Sequence, residues 1–288
     1  MSPVKGALYA DWLRPDWPAP ANVRAVFTTR SGGASSAPWD SMNLGSHVGD
    51  APEHVVANRA TLQAAIGTRP VFLNQTHGTR VEVLSRSSPN GSAADACLTT
   101  EQGVACTIMV ADCLPVLFAS VCGSVIGAAH AGWRGLAGSS VNDSAEGILE
   151  ATLAAIYKHF RAIDQSKRAR AAPEIIAWLG PCIGPSAFEV GTEVKAAFES
   201  GQADAGRYFV AGSSGKYWAD LAGLARSRLT ALGVSQIYGN DSSLPWCTAS
   251  NASRFFSHRR DARVDVNDQV DGVGRATTGR MAASIWLA

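Results

Sequence analysis

Three of the histidine and cysteine residues of this chain stand in surroundings that suit metal binding or nucleophilic catalysis. His77, Cys113 and His130 stand in the segments NQTHG, ADCLPVLF and AAHAGWRG, each at or just after an apolar run. Such residues are potential metal ligands, and a cysteine beside a histidine is also a potential nucleophile with its base. The separations, 36 and 17 residues, match no zinc-finger pattern. Residue type and spacing alone therefore leave two interpretations open. The three residues form one site, or the histidines are hydrogen-bonded core residues and the cysteine is a buried thiol.

A β-sheet is expected to position these residues, because rigid strands commonly present functional side chains at their ends and in the loops beyond. Short runs rich in Val and Ile predict strands over 23–29, 71–74, 81–84, 104–110, 115–119, 124–129, 175–179, 235–238 and 281–287. Helical spacing predicts helices over 52–66, 136–160, 190–199 and 217–232, with Gly67 as a C-terminal cap of the first. The basic stretch 164–170 is predicted to be a surface loop.

Strands come in clusters with helices between the clusters, and strict βαβ alternation is absent. We therefore expect an α+β fold with mixed or antiparallel β-sheets packed together and flanked by helices. At 288 residues the chain is expected to form a single domain over 1–288.

Composition sets broad limits on function. Hydrophobic residues make up 46% and charged residues 17% of the chain, as in ordinary globular proteins. A net charge of +1 gives no strong field for nucleic acid or an anionic membrane, so neither is expected as a partner. The N-terminal residues show no secretory signal pattern, and no apolar run is long enough to span a bilayer, so a cytoplasmic location is expected. Six cysteines without a C-x-x-C pair do not suggest a disulfide framework.

Several motifs together resemble the laccase-domain (polyphenol oxidase, YfiH-like) family. Besides NQTHG, ADCLPVLF and AAHAGWRG, the motifs that carry this resemblance are TTRSGG (28–33), MNLGSHVGD (42–50), ADA (94–96), GPCIG (180–184), FFSHRR (255–260) and TGR (278–280). They extend from about residue 23 to the C-terminus. One departure is His258, where the family more often has an aromatic tyrosine.

The resemblance implies a zinc-dependent purine nucleoside enzyme. Such enzymes phosphorolyse adenosine, inosine, guanosine and methylthioadenosine, and they also deaminate adenosine. The family's metal ligands correspond to His77, Cys113 and His130. One thiolate and two imidazoles suit zinc, and three protein ligands leave a fourth position open, as in catalytic zinc sites. Water bound there has its pKa lowered towards about 7, so a hydroxide could attack C6 of adenine.

Phosphorolysis requires groups that bind an anion and the nucleoside. Arg30, Arg134 and Arg259 are candidates for phosphate, and Asn43 is a candidate for a sugar hydroxyl or a base edge. The alternatives are structural salt bridges for the arginines and a turn-forming role for Asn43. The expected partners are a nucleoside and phosphate, bound by a monomer or a small homo-oligomer.

Other functions remain open. Phenol oxidation with copper is disfavoured because a multicopper oxidase needs several His-x-His pairs and this chain has none, although Cu²⁺ could still occupy a His₂Cys site. A cysteine hydrolase or amidase acting on peptidoglycan precursors would use Cys113 as nucleophile and His130 or His77 as base. A structural zinc protein would need a fourth protein ligand, for example His47.

Overall fold

The computed structural model describes residues 11–138, 146–163, 173–262 and 277–288. The strands, in chain order, are β1 (Val23–Phe27), β2 (Arg69–Phe72), β3 (Val81–Val83), β4 (Ala96–Thr99), β5 (Val104–Val110), β6 (Leu114–Ser120), β7 (Ile126–Ala131), β8 (Ile175–Leu179), β9 (Glu189–Val190), β10 (Phe209–Ala211), β11 (Tyr217–Ala219), β12 (Gln236–Gly239) and β13 (Met281–Leu287). The α-helices are α1 (Pro52–Ile66), α2 (Trp133–Ala137), α3 (Ile148–Ile163), α4 (Thr192–Glu199), α5 (Leu221–Ala231) and α6 (His258–Asp261).

Two mixed sheets form the centre of the fold. One has four strands in the order β1-β13-β5-β2, and the other has six in the order β12-β8-β6-β7-β4-β3. Each combines antiparallel pairs with parallel ones, such as β2 with β5 and β3 with β4. A third, small antiparallel sheet has the order β10-β11-β9.

The two large sheets pack face to face and have helices on their outer faces. Side chains from β5 and β13 share one apolar cluster with side chains from β6, β7 and β8. Helix α1 packs on the outer face of the four-stranded sheet, and α3 and α5 pack on the outer face of the six-stranded sheet. Every residue of β5, β6, β7, β8 and β13 is buried, as expected for strands covered on both sides. The α+β class predicted from the sequence is confirmed.

Most predicted elements are present, with shifted ends. The strands predicted over 104–110, 175–179 and 281–287 and the helix over 52–66 have the predicted bounds, and Gly67 caps that helix with a φ of 70°. The helix predicted over 217–232 is partly wrong, because its first three residues form strand β11 and the helix begins only after Asp220.

The single helix predicted over 136–160 is also wrong, because α2 ends at Ala137 and Gly138 has a φ of 80°. The helix predicted over 190–199 begins two residues late, because Glu189–Val190 forms strand β9. The predicted loop 164–170 lies outside the described residues. In the described part of the chain, no helix combines the length and apolarity needed to cross a membrane.

Candidate active site

The β6–β7 hairpin brings Cys113 and His130 together. Pro115 pairs with His130 and Leu114 pairs with Ala131, so the residue just before β6 lies beside the end of β7. Both side chains are thereby attached to the rigid centre of the six-stranded sheet. His130 is buried, with 3% of its surface exposed, whereas Cys113 is half-buried.

His77 comes from the loop after β2. The side-chain amide of Gln75 continues the pairing between β2 and β5 beyond the last strand residue: its Nε2 donates to the Met109 carbonyl and its Oε1 accepts from the Met109 N–H, both at 2.8 Å. This double hydrogen bond positions the loop so that His77 reaches Cys113, just before the start of β6. His77 adopts a left-handed conformation with a φ of 61°.

The three side chains form a group that fits one metal ion. Their ligand atoms all lie within 4.8 Å of one another, and Cys113 Sγ is 3.8 Å from His77 Nε2. A tetrahedral zinc ion with Zn–S of about 2.3 Å and Zn–N of about 2.0 Å places sulfur and nitrogen about 3.5 Å apart. The observed separation is close to that value. In the described part of the chain no fourth histidine, cysteine or carboxylate joins the group, and His47 does not belong to it.

Asp95 is the acceptor that organises two of these ligands. Its Oδ1 lies 2.9 Å from His130 Nδ1 and accepts the His77 backbone N–H at 2.8 Å. Its Oδ2 accepts the backbone N–H groups of Thr76 and Gly78 at 3.0 and 2.8 Å. Because Nδ1 of His130 is engaged by the carboxylate, Nε2 is the ring nitrogen available to a metal. A carboxylate behind a ligating histidine is the usual outer partner in zinc sites.

Asp95 was not identified from the sequence as a site residue. Its neighbour Ala96 pairs with Ala129 across strands β4 and β7, so Asp95 lies beside His130 only once this register is known. Burial opposes ionisation of Asp95, but hydrogen bonds from His130 and the Gly78 and Thr76 amides outweigh it and lower the pKa to about 2. The carboxylate is therefore a permanent negative charge under the site.

Without a metal, Cys113 and His130 form a mutually stabilising ion pair. Burial raises the pKa of the Cys113 thiol, but the positive charge of His130 and hydrogen bonds from His130 and His77 lower it to about 6. Burial lowers the pKa of His130, but the Cys113 thiolate and the Asp95 hydrogen bond raise it to about 9. The sulfur is thus prepared as the thiolate that a metal requires, and metal binding would release the imidazolium proton.

Glycines allow the backbone to approach the ligands closely. A Cβ on Gly132 would lie 2.8 Å from His77 Cδ2 and 3.1 Å from Cys113 Sγ. A Cβ on Gly135 would lie 2.8 Å from the Gly78 carbonyl oxygen. The start of α2 therefore packs directly against the loop that carries His77, and side chains at these positions would displace that loop.

Asp112 has a structural role, although it precedes Cys113. Its Oδ1 accepts from Thr248 Oγ1 at 2.6 Å, and its Oδ2 accepts from Ser257 Oγ at 3.0 Å and from the Arg259 N–H at 2.6 Å. These bonds hold the segment that carries Arg259 against the turn that carries Cys113.

The three candidate ligands open into a cavity of about 420 Å³. This volume is in the range of small-molecule binding pockets. Apolar side chains including Met109, Ile183, Phe188 and Leu221 form part of its wall, and Arg134, Arg259 and Arg280 contribute cations. The site therefore combines a metal-ligand group, an apolar surface and a positive charge.

Two of the predicted substrate residues line this cavity. Arg134 is exposed and stacks on the Trp133 ring, 4.4 Å from its centroid. The Arg259 guanidinium donates to the carbonyls of Ala187 and Glu189 at 3.3 and 3.0 Å, which holds it at the cavity wall.

The structure does not bring the other two predicted substrate residues to the cavity. Arg30 pairs with Asp40 at 3.3 Å, donates to the Ala252 carbonyl and lines a separate pocket. Asn43 is fully buried, and its amide bonds Asp50 and the Gly45 backbone. These contacts are those of a salt bridge and of a turn.

Comparison with known proteins identifies the family. A family model described as "Multi-copper polyphenol oxidoreductase laccase" matches residues 24–288. The chain belongs to this family. Members of this laccase family with similar sequences include "Purine nucleoside phosphorylase PA4543" of Pseudomonas aeruginosa, 44% identical over 96% of this chain and 98% of that protein. "Purine nucleoside phosphorylase YfiH" of Escherichia coli is 43% identical over 95% of this chain and 97% of that protein.

Solved structures of similar chains have the same fold. Neisseria meningitidis protein NMB0706 is 40% identical, with a TM-score of 0.79 over 96% of this chain and 99% of that one. YlmD from Geobacillus stearothermophilus is 30% identical, with a TM-score of 0.73 over 99% of both chains.

Proposed function

We propose that this protein is a zinc-dependent purine nucleoside phosphorylase that acts on adenosine, inosine, guanosine and methylthioadenosine and also deaminates adenosine. The observation that carries the proposal is the group His77, Cys113 and His130 at the wall of a cavity of about 420 Å³. Relatives at 44% and 43% identity are named purine nucleoside phosphorylases and are covered almost completely, which supports an enzyme of this kind.

The residues around the metal-ligand group suit a nucleoside and an oxyanion. Phe188, Ile183 and Leu221 offer an apolar surface to the purine, and Arg134 and Arg259 offer cations to phosphate. When bound, zinc would supply Lewis-acid chemistry, polarising a substrate oxygen or nitrogen or activating water. Asp95 keeps the His130 ring in one orientation throughout, because its carboxylate stays ionised at neutral pH.

Phosphorolysis requires balanced bond changes at the ribose. An oxygen of hydrogen phosphate bonds to C1′ while the bond from C1′ to the purine nitrogen breaks, and the electron pair leaves with the purine. The proton of the hydrogen phosphate ends on the free base. Positive groups in the cavity would hold the phosphate in place and so remove much of the entropic barrier.

The proposed metal is zinc, with copper as the alternative. The family name refers to several coppers, but only one group of three candidate ligands occurs within residues 11–138, 146–163, 173–262 and 277–288. A thiolate and two imidazoles suit Zn²⁺, although Cu²⁺ binds such ligands more tightly. Metal analysis of protein purified without added metal, together with a phenol oxidation assay, separates the two.

Phosphate-dependent turnover tests the proposal. Metal-quantified protein would be incubated with adenosine or inosine, with and without phosphate, and the products separated by chromatography. Free base and ribose 1-phosphate formed only with phosphate support phosphorolysis, and inosine formed from adenosine supports deamination. No consumption of either nucleoside by zinc-loaded protein contradicts the proposed substrates.

A cysteine hydrolase acting on peptidoglycan precursors is a second candidate. The half-exposed Cys113 Sγ lies 3.8 Å from His77 Nε2, a separation compatible with a nucleophile and its base. A bound metal would occupy the thiolate, so this activity requires turnover by metal-free protein and loss of turnover when zinc is added.

The single-domain organisation, the cytoplasmic location and the monomeric or small homo-oligomeric state stay predictions.

A further inference from the structure

The TGR motif near the C-terminus has no role in the metal-ligand group, yet its arginine reaches the same cavity. Arg280 lines the cavity together with Cys113, His130 and Arg259. It is close enough to Cys113 and Asp112 for their negative charges to act on its guanidinium. It was not among the arginines singled out from the sequence.

The backbone and stem of Arg280 are held tightly. The Arg280 N–H donates to Asn43 Oδ1 at 2.9 Å, and the Arg280 carbonyl accepts the Leu44 N–H at 3.0 Å. A Cβ on Gly45 would lie 2.7 Å from Arg280 Cγ, so the glycine leaves room for the stem. The buried Asn43 and the MNLG segment therefore position an arginine, and Asn43 is not itself among the residues that line the cavity.

The guanidinium itself has spare hydrogen-bonding capacity. Its Nη1 donates to the carbonyls of Thr278 and Gly279 at 2.9 and 3.3 Å. Nε and Nη2 have no acceptor among the described residues, and no described carboxylate forms an ion pair with Arg280. Burial lowers the pKa of Arg280, and the nearby negative charges of Cys113 and Asp112 offset only part of this effect. An anionic ligand would compensate this charge.

The surroundings strengthen the preference for an anion. His47 and His258 line the cavity as neutral rings at neutral pH, because burial and nearby arginines lower their pKa. The cations of the cavity are three arginines, and Asp112 is its one carboxylate among the described residues. That carboxylate is already occupied by Thr248, Ser257 and the Arg259 N–H. A tetrahedral oxyanion can take hydrogen bonds from a planar guanidinium in pairs, which an arginine provides better than a lysine.

We propose that Arg280 binds the phosphate oxyanion, with Arg259 and His258 beside it. The inference rests on the proposed phosphorolysis and identifies its phosphate-binding residue. Inorganic phosphate and the phosphate of a sugar 1-phosphate share this chemistry, so both are expected at the same place.

Direct binding of inorganic phosphate tests the inference without turnover. Titration calorimetry would compare metal-loaded wild type with Arg280→Gln, Arg280→Lys and the control Arg207→Gln, whose side chain contacts Asp204 and Tyr208 on the surface. Loss of a charge-assisted hydrogen bond predicts phosphate affinity reduced roughly 10- to 100-fold in Arg280→Gln. Partial recovery is expected in Arg280→Lys, and no change is expected in Arg207→Gln. Steady-state assays should show a raised KM for phosphate and a little-changed KM for the nucleoside.

The outcomes separate this inference from the proposed function. One outcome is that wild type binds phosphate but consumes no nucleoside, and that Arg280→Gln loses the phosphate binding. This result supports the role of Arg280 and contradicts the proposed phosphorolysis. Phosphorolysis with an unchanged phosphate KM in Arg280→Gln keeps the function and overturns the inference. If Arg280→Gln does not fold, modification of wild type by phenylglyoxal decides: phosphate should protect Arg280 and not Arg207, and equal modification of Arg280 with and without phosphate overturns the proposal.

Discussion

Replacing Asp95 by asparagine should weaken the metal site without removing a ligand. Asp95 accepts hydrogen bonds from the His130 ring and from the backbone N–H groups of Thr76, His77 and Gly78. An asparagine has only one side-chain oxygen that can accept from these donors. Its NH₂ group would face the remaining N–H donors and could not accept from them. The His130 ring and the loop that carries His77 should therefore lose their fixed orientation together.

The structure gives a magnitude for the metal-free protein. The pKa of the Asp95 carboxyl falls from 3.8 to about 2. At about 1.36 kcal/mol per pH unit, this difference corresponds to roughly 2 kcal/mol of stability at neutral pH. Because the folded pKa is the lower one, this stability is present above about pH 4 and is lost as the pH falls through about 2. For the metal, loss of such an outer partner typically costs about 10- to 100-fold in affinity.

The assay pairs zinc titration against a competing chelator with denaturant unfolding of metal-free protein. Glu150→Gln is the matched control, since it makes the same carboxylate-to-amide change at an ion pair with Arg228 that lies outside the cavity. We expect Asp95→Asn to weaken zinc binding and to lower stability, and Glu150→Gln to lower stability alone. Asp95→Asn that binds zinc as tightly as wild type would refute the role given to this carboxylate.

Three further predictions concern the ligands and their surroundings. His77→Ala, Cys113→Ala and His130→Ala should each abolish metal binding and activity, and a variant that retains full metal occupancy removes that residue from the ligand set. Iodoacetamide should alkylate Cys113 of metal-free protein at a rate that rises through about pH 6 and not near 9.0, because the lowered pKa gives thiolate at lower pH. Bound zinc should protect Cys113 from alkylation. An alkylation rate that rises only above about pH 8 would contradict the ion pair with His130. Gly132→Ala should weaken zinc binding roughly 10- to 100-fold, because its Cβ would lie 2.8 Å from His77 Cδ2; unchanged affinity in a chelator titration contradicts that close packing.

The sequence predicts the elements whose signals are local. Helix α1 has proline near its start and Gly67 at its end, and the strands buried on both faces read as continuous apolar runs. The error at 217–232 arose because Tyr217 and Trp218 fit helical spacing. The side chain of Asp220 accepts the Gly223 N–H at 2.8 Å, and this N-cap marks where the helix begins.

The site was predictable only in part, because its contacts join distant residues. Resemblance to the family identified the metal-ligand candidates, but the roles of Asp95 and Arg280 depend on strand register and on the contact of Asn43 with residue 280, 237 positions away. Arg30 was predicted to bind phosphate because it stands in a Gly-rich turn after a strand, but it does not line the cavity. Its guanidinium instead pairs with Asp40 and packs on the Phe256 ring, 4.8 Å from the centroid.

Zinc add-back tests whether phosphorolysis by this protein depends on zinc at the His77, Cys113 and His130 group. Metal-stripped protein would be titrated with Zn²⁺ while bound zinc and ribose 1-phosphate formation from inosine and phosphate are measured in the same samples. We expect no phosphorolysis without metal and a rate that rises in proportion to bound zinc. The rate should saturate at about one ion per chain, since the three candidate ligands form one site. Undiminished phosphorolysis by the metal-stripped protein, or full zinc occupancy without any phosphorolysis, would contradict this expectation.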